Sequence, residues 1–137
     1  MPSTIFRLRT DGGSRGNPGP SGIGAVIEDV MTGDVLEEHA KYLGVTTNNQ
    51  AEYQAVILGL QRCKALGATS VEVLADSELL IKQANREYRV KNPDLQLRFQ
   101  EMCALVREIG KVTFKHVYRE ANKRADALAN QAMDERR

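Results

Sequence analysis

Asp11, Glu52, Asp76 and Asp126 sit in four short segments of the chain, TDGGSRGNPG, TNNQAE, VEVLAD and YREANKRADALA. Carboxylates this far apart in sequence meet only if the fold gathers them, and four held close together repel unless divalent cations neutralise them. The chemistry such a set supports is cation-assisted hydrolysis of a phosphodiester. Paired ions roughly 3.5–4 Å apart would act there, one preparing a water nucleophile and the other stabilising the leaving oxygen. Hard oxygen ligands suit magnesium or manganese. Competing centres are missing from the sequence: there is no cysteine and histidine cluster with zinc spacing, no GKS or GKT phosphate loop, and no evident histidine and acid partner for Ser14 or Ser21.

Each acid also has an ordinary explanation. Asp76, followed by Ser77, is suited to capping a helix. Asn49 with Glu52 three residues on mimics a capping box, and Asp126 in the opening turns of a helix is favoured by the helix dipole. Asp11 is harder to explain away, because Gly12, Gly13, Gly16, Gly19 and Gly22 follow it, stiffened by Pro18 and Pro20. Glycines beside an acid let a large ligand approach the backbone closely. Taken singly the acids are weak signals; together they describe two acids at strand ends and two in opening helical turns, all able to face one sheet edge.

The elements that must position them follow from periodicity and turn chemistry. Residues 5–10 read as a strand ending at Asp11, 12–22 as a loop, and 24–30 as a second strand. Met31-Thr32-Gly33-Asp34 carries hairpin turn chemistry, and 35–43 supplies a more polar strand expected nearer an edge. Asn48 or Asn49 is predicted to cap a helix running to Leu66, with Gly67 as its stop. On that helix positions 52, 55, 56, 59, 63 and 66 share a face, which aligns Glu52 with the stripe packed on the sheet. Residues 71–75 form a short apolar strand, 77–86 a helix, 95–109 a second helix after Asn92-Pro93, and 111–118 a β-rich run. Asn122 is predicted to cap a last helix through Met133. The order βββαβααβα implies an α/β fold with a mixed sheet and helices on its faces.

Bulk properties bound the reading. With 137 residues the chain has the size of one domain, so 1–137 is expected to be a single unit without linker or repeat. No apolar stretch approaches the roughly 20 residues that cross a bilayer, and MPSTIFRLRT lacks a secretory signal, so a cytoplasmic monomer is expected. Cys63 and Cys103 fall in helix interiors and are expected to be reduced. A net charge of +1 gives no general grip on a polyanion. Any such grip is local, with Lys82, Arg86, Arg89, Lys91 and Arg98 as one candidate patch and Lys123 and Arg124 near the fourth acid; solvated helix faces would look the same.

The four motifs, in this order and across nearly the whole chain, resemble type 1 ribonuclease H, in its compact branch without a basic protrusion. TDGGSRGNPGPSGIG is similar to that family's first strand and glycine loop, TNNQAE to its second motif, ADSE to its third and REANKRADALA to its fourth. The resemblance implies the ribonuclease H-like fold, a five-stranded mixed sheet flanked by helices. It further implies endonucleolytic cutting of the RNA strand of RNA/DNA hybrids with two magnesium ions, leaving 3'-hydroxyl and 5'-phosphate ends. Asp11, Glu52, Asp76 and Asp126 match the family's metal-binding catalytic acids; Ser14, Asn17, Asn48 and Asn49 match its minor-groove contacts to RNA, and Thr47 its contact to a DNA phosphate. Short polar side chains suit reading a 2'-hydroxyl, though they also serve as turns and caps.

Two departures stand out. Relatives often carry a histidine in a loop before the fourth acid, whereas residues 118–125 hold none, leaving His116, read as a packed strand residue, or Arg119. The basic, tryptophan-containing insertion of other relatives is replaced by the short NREYRVKNPDLQLRF. Two rival readings remain: a silent hybrid-binding module, against which all four acids argue, and a junction resolvase or transposase core on the same fold, which the TNN motif disfavours.

Overall fold

The computed structural model describes residues 3–137. Alternation in the first strand buries Phe6, Leu8 and Thr10 on one face and turns Arg7, Arg9 and Asp11 to the other. That strand, β1 (Ile5–Ser14), is the centre of a five-stranded sheet with β2 (Gly19–Asp29), β3 (Val35–Thr46), β4 (Ser70–Ala75) and β5 (Lys111–His116), in the order β3-β2-β1-β4-β5. It pairs antiparallel with β2 and parallel with β4; β2–β3 is antiparallel and β4–β5 parallel. The mixed sheet and edge position expected for β3 are both present.

Four helices cover the sheet: α1 (Asn48–Ala65), α2 (Glu78–Ala84), α3 (Pro93–Ile109) and α4 (Lys123–Glu135), with a 3-10 turn at Arg119–Ala121. The main core lies between β1, β4 and α1, built on Leu8, Val56, Leu60, Val73 and Met102. The opposite face is closed by α4 through a smaller set, Val26, Ala125 and Leu128. Among the described residues no helix is long and apolar enough to cross a membrane. Both cysteines are free thiols, Cys63 buried in the core.

Several boundaries differ from expectation for identifiable reasons. The loop predicted over 12–22 shrinks to residues 15–18, because Gly12 and Gly13 stay in β1 opposite Ile23 and Gly22. Alternation cannot be read through residues without side chains, yet glycine in a strand marks a close approach. A Cβ on Gly12 would lie 2.6 Å from the Glu52 amide nitrogen, and one on Gly24 would lie 2.8 Å from the Leu128 Cβ. Helices α1 and α4 therefore sit down on opposite faces of the sheet at the level of Asp11.

Caps also shift. Thr47, rather than Asn48 or Asn49, caps α1, its Oγ1 accepting from the Gln50 amide at 3.2 Å. The predicted face of α1 holds at Ala55, Val56, Gly59 and Cys63, while Leu66 falls outside the helix and is partly exposed. Helix α2 is shorter than predicted, capped by Ser77, and α3 starts earlier, where Asn92 Oδ1 accepts from the Asp94 amide at 2.8 Å and Pro93 occupies the first turn. Strand β5 stops at His116, two residues short. Asn122 does precede α4, but its side chain makes no capping bond.

Candidate active site

The ordinary explanations fail for Asp76 and Glu52, whereas the first-turn placement expected of Asp126 is present. Ser77 Oγ accepts from the Leu80 amide at 3.2 Å and so caps α2, leaving the adjacent Asp76 carboxylate unassigned. With Thr47 as the cap of α1, Glu52 lies beyond the capping-box position; it accepts instead from Asn48 Nδ2 at 2.9 Å. Asp11 is opposite Gly24 in the β1–β2 ladder, on the face that α4 covers. Asp126 lies in the first turn of α4, its amide bonded to the Asn122 carbonyl at 3.1 Å.

All four acids line one open cleft of about 400 Å³, together with Ser14, Asn48, Arg119 and Asn130. Their electrostatics express the crowding. Burial first, then the charge of Asp76 and hydrogen bonding and charge from Asp126, push the Asp11 carboxyl up to about 8. Glu52 is raised chiefly by burial, with Asp76 adding to it and hydrogen bonds from Ser77 and Asn48 opposing it. Two cations of the protein line the cleft: Arg119, whose Nη2 lies 3.4 Å from Asp126 Oδ1, and Arg15, paired with Asp134 at 2.7 Å. Burial and neighbouring charge thus raise Asp11 and Glu52, and carboxylate oxygens are the donor chemistry of a hard divalent cation. Among the described residues, however, no three acidic, histidine or cysteine side chains form a finished coordination shell; the acids share a cleft rather than a closed cage.

The five polar residues matched to substrate contacts divide between two neighbouring clefts. Ser14 and Asn48 line the acidic one. Asn17, Thr47 and Asn49 line a second, of about 600 Å³, at the start of α1. Asn17 Oδ1 accepts from the Asn48 amide at 3.1 Å, joining the β1–β2 turn to α1. Ser14 Oγ faces the carbonyls of Gly16, Gly19 and Thr46, so it also holds that turn together.

Sequence reasoning missed the far wall of the second cleft. Asn92 and Gln50 line it, and both look in sequence like a helix boundary and a helix surface. Arg98, counted with a basic patch, belongs to this wall, bound to Gln50 Oε1 at 3.0 Å and Glu101 at 3.2 Å. Both basic groups are partly neutralised: Lys82 of the patch pairs with Glu78 at 3.0 Å and Arg124, near the fourth acid, with Glu38 at 2.6 Å, while Arg86, Arg89 and Lys91 are exposed. His116 packs edge-on against Tyr118, ring centroids 5.3 Å apart, and of the two residues considered before the fourth acid it is Arg119 that reaches the cleft.

Comparison with known proteins gives the same direction. The family model described as reverse transcriptase-like matches residues 9–132. Over 127 residues the chain is 43% identical to the bifunctional protein Rv2228c of Mycobacterium tuberculosis, covering 93% of this chain and 35% of that one. The N-terminal RNase H domain of that protein, solved as a fusion with maltose binding protein, superposes with a TM-score of 0.94 at 42% identity over 97% of this chain and 96% of that chain. The ribonuclease H of Pseudomonas fluorescens is 35% identical over 147 residues, 97% of this chain and 95% of its own length. LC11-RNase H1, solved in complex with an RNA/DNA hybrid, is 43% identical with a TM-score of 0.91, covering 96% of this chain and 98% of that chain. The chain spans about a third of the length of the first curated relatives it matches.

Proposed function

Because this chain belongs to the type 1 ribonuclease H family, we propose that it hydrolyses the RNA strand of RNA/DNA hybrids endonucleolytically, using two magnesium ions, with manganese as a substitute, and leaving 3'-hydroxyl and 5'-phosphate ends. The observation that carries this reading is the meeting of Asp11, Glu52, Asp76 and Asp126 in one cleft, with Asp11 raised to about 8 by burial and its neighbours. A carboxyl held that high is out of place in a structural role and at home beside cationic charge.

In this reading the four acids hold the cations, which when bound supply an activated water and charge neutralisation at the leaving oxygen. Asp11, on the central strand, would hold the cations together with Asp76 and with Glu52, which Asn48 orients. Arg119 neutralises Asp126 and is placed to meet a phosphate leaving the cleft. The hybrid lies across both clefts: Ser14, Asn17, Asn48 and Asn49 meet the RNA strand in the minor groove, where a 2'-hydroxyl distinguishes it from DNA, and Thr47 meets a phosphate of the DNA strand. Residues 1–137 act as one domain in this reading, since all four acids are needed and they span the sheet from β1 to α4.

The test is cleavage of an end-labelled RNA/DNA hybrid, with duplex DNA and duplex RNA as controls, in magnesium and in chelator. Cutting confined to the RNA strand of the hybrid and abolished by chelator is expected. Tight hybrid binding without cutting in either metal refutes hydrolysis and leaves a binding module.

A further inference from the structure

Asn122 is 1% exposed and precedes α4, yet it does not do what its type favours there. An asparagine at this position ordinarily turns its Oδ1 to the free amides of the first helical turn. Here Nδ2 donates to the Thr10 carbonyl at 2.7 Å, across 112 residues of sequence, and Oδ1 is buried with no hydrogen-bond partner. The contact is returned from the strand: Arg9 Nη1 donates to the Ala121 carbonyl at 2.9 Å, while its Nε is held by Glu28 Oε1 at 2.8 Å.

Two hydrogen bonds of opposite sense thus join consecutive residues Arg9-Thr10 of β1 to consecutive residues Ala121-Asn122 before α4. A single bond would leave the helix free to pivot; two fix both separation and twist. The next residue along β1 is Asp11. On the other side the Asn122 carbonyl receives the Asp126 amide, and Arg119, two residues before Ala121, meets the Asp126 carboxylate. We infer that Asn122, with Arg9 braced by Glu28, is a positioning residue that sets the distance between the Asp11 and Asp126 carboxylates for cation binding. The inference rests on the metal-dependent reading of the cleft. It explains why a helix cap is given up and a buried acceptor left unpaired: the donor is needed elsewhere.

Asn122→Asp is the decisive variant, because aspartate ranks with asparagine as a cap and has nearly its shape, but offers no donor to Thr10. Hybrid cleavage by the full chain is expected to fall about 10–100-fold in kcat with KM changed by less than about threefold, as for other residues that orient metal ligands. Calorimetric titration with Mn2+ alone is expected to show affinity about tenfold weaker. Cys63→Ala, in the core away from the cleft, serves as the stability control and is expected to lose thermal stability while keeping Mn2+ affinity within about twofold. Should Asn122→Asp not fold, Arg9→Lys carries the test, since one ammonium cannot reach Glu28 and the Ala121 carbonyl together; a kcat loss of about 3–10-fold is expected. An Asn122→Asp protein with kcat and Mn2+ affinity within about twofold of the parent overturns the inference. If the parent binds Mn2+ but cuts no hybrid, the functional reading fails and the Mn2+ titration alone decides the clamp; a parent that binds no Mn2+ overturns both.

Discussion

Replacing Asp11 by asparagine should make the metal-free protein more stable while disabling it. The carboxyl moves from an ordinary value of 3.8 to about 8 in the fold. Its folded value lies above its unfolded one, so between those limits the fold retains a proton that the unfolded chain has released. Stability therefore falls as pH rises from about 4 to about 8 and is level beyond. At ~1.36 kcal/mol per pKa unit the whole interval is a ceiling of about 6 kcal/mol. The cleft is open to water, which brings the contribution of this one side chain to about 1–3 kcal/mol. Asparagine keeps the shape and has no proton to lose. In chelator, urea unfolding of Asp11→Asn should show a gain of about 1–3 kcal/mol at pH 9 that vanishes near pH 4, with a rise in Tm of roughly 3–10 °C at the higher pH. Added magnesium should then stabilise the parent more than the variant. A stability difference that does not change with pH, or a variant weaker than the parent at pH 9, would refute the crowded-carboxylate argument.

Three further perturbations separate chemistry from architecture. Asp76→Asn should lower hybrid cleavage by at least about 100-fold while hybrid affinity, read by fluorescence anisotropy, stays within about threefold, because Asp76 is none of the residues matched to substrate contacts. Gly24→Ala places a methyl group 2.8 Å from the Leu128 Cβ and 2.9 Å from the Ala129 amide nitrogen; unfolding in urea should show a loss of about 1–3 kcal/mol as α4 is pushed outward. Tyr53→Phe removes the hydroxyl that donates to Gln83 Oε1 at 2.6 Å between two buried side chains. Burial pushes the Tyr53 phenol upward and keeps it a donor, so its loss should cost about 1–3 kcal/mol in the same assay with cleavage per folded molecule unchanged.

The legible and illegible parts of this protein divide by the range of the interaction. Element order could be read because each strand and helix carries its own periodicity, and the acids could be nominated because each lies beside a strand end or helix start. Gly12 and Gly13 could not be read as strand, since pairing with Gly22 and Ile23 is a backbone property without a side-chain pattern. The cap of α1 was ambiguous for a local reason: Thr47, Asn48 and Asn49 are all competent, and the end of β3 at Thr46 selects the first. Asn122 was legible as a helix start and illegible as a clamp, because its partner, Thr10, lies 112 residues away. The same holds for Asn92, whose capping role hid its place in the wall of the second cleft.

The seam between α4 and the sheet has a dynamic consequence. At its centre Gly22 and Gly24 of the strand meet Ala125, Ala129 and Ala132 of the helix, with Leu128 and Met133 beside them. Dispersion between such small surfaces decays steeply with separation, and the longer Leu128 and Met133 side chains flank them against the same strand. Lifting of α4 would be a local opening that leaves the main core of β1, β4 and α1 intact. Such an opening would take Asp126 from the cleft and leave three acids behind. The four-acid site therefore depends on the seating of one helix at a close seam with β2.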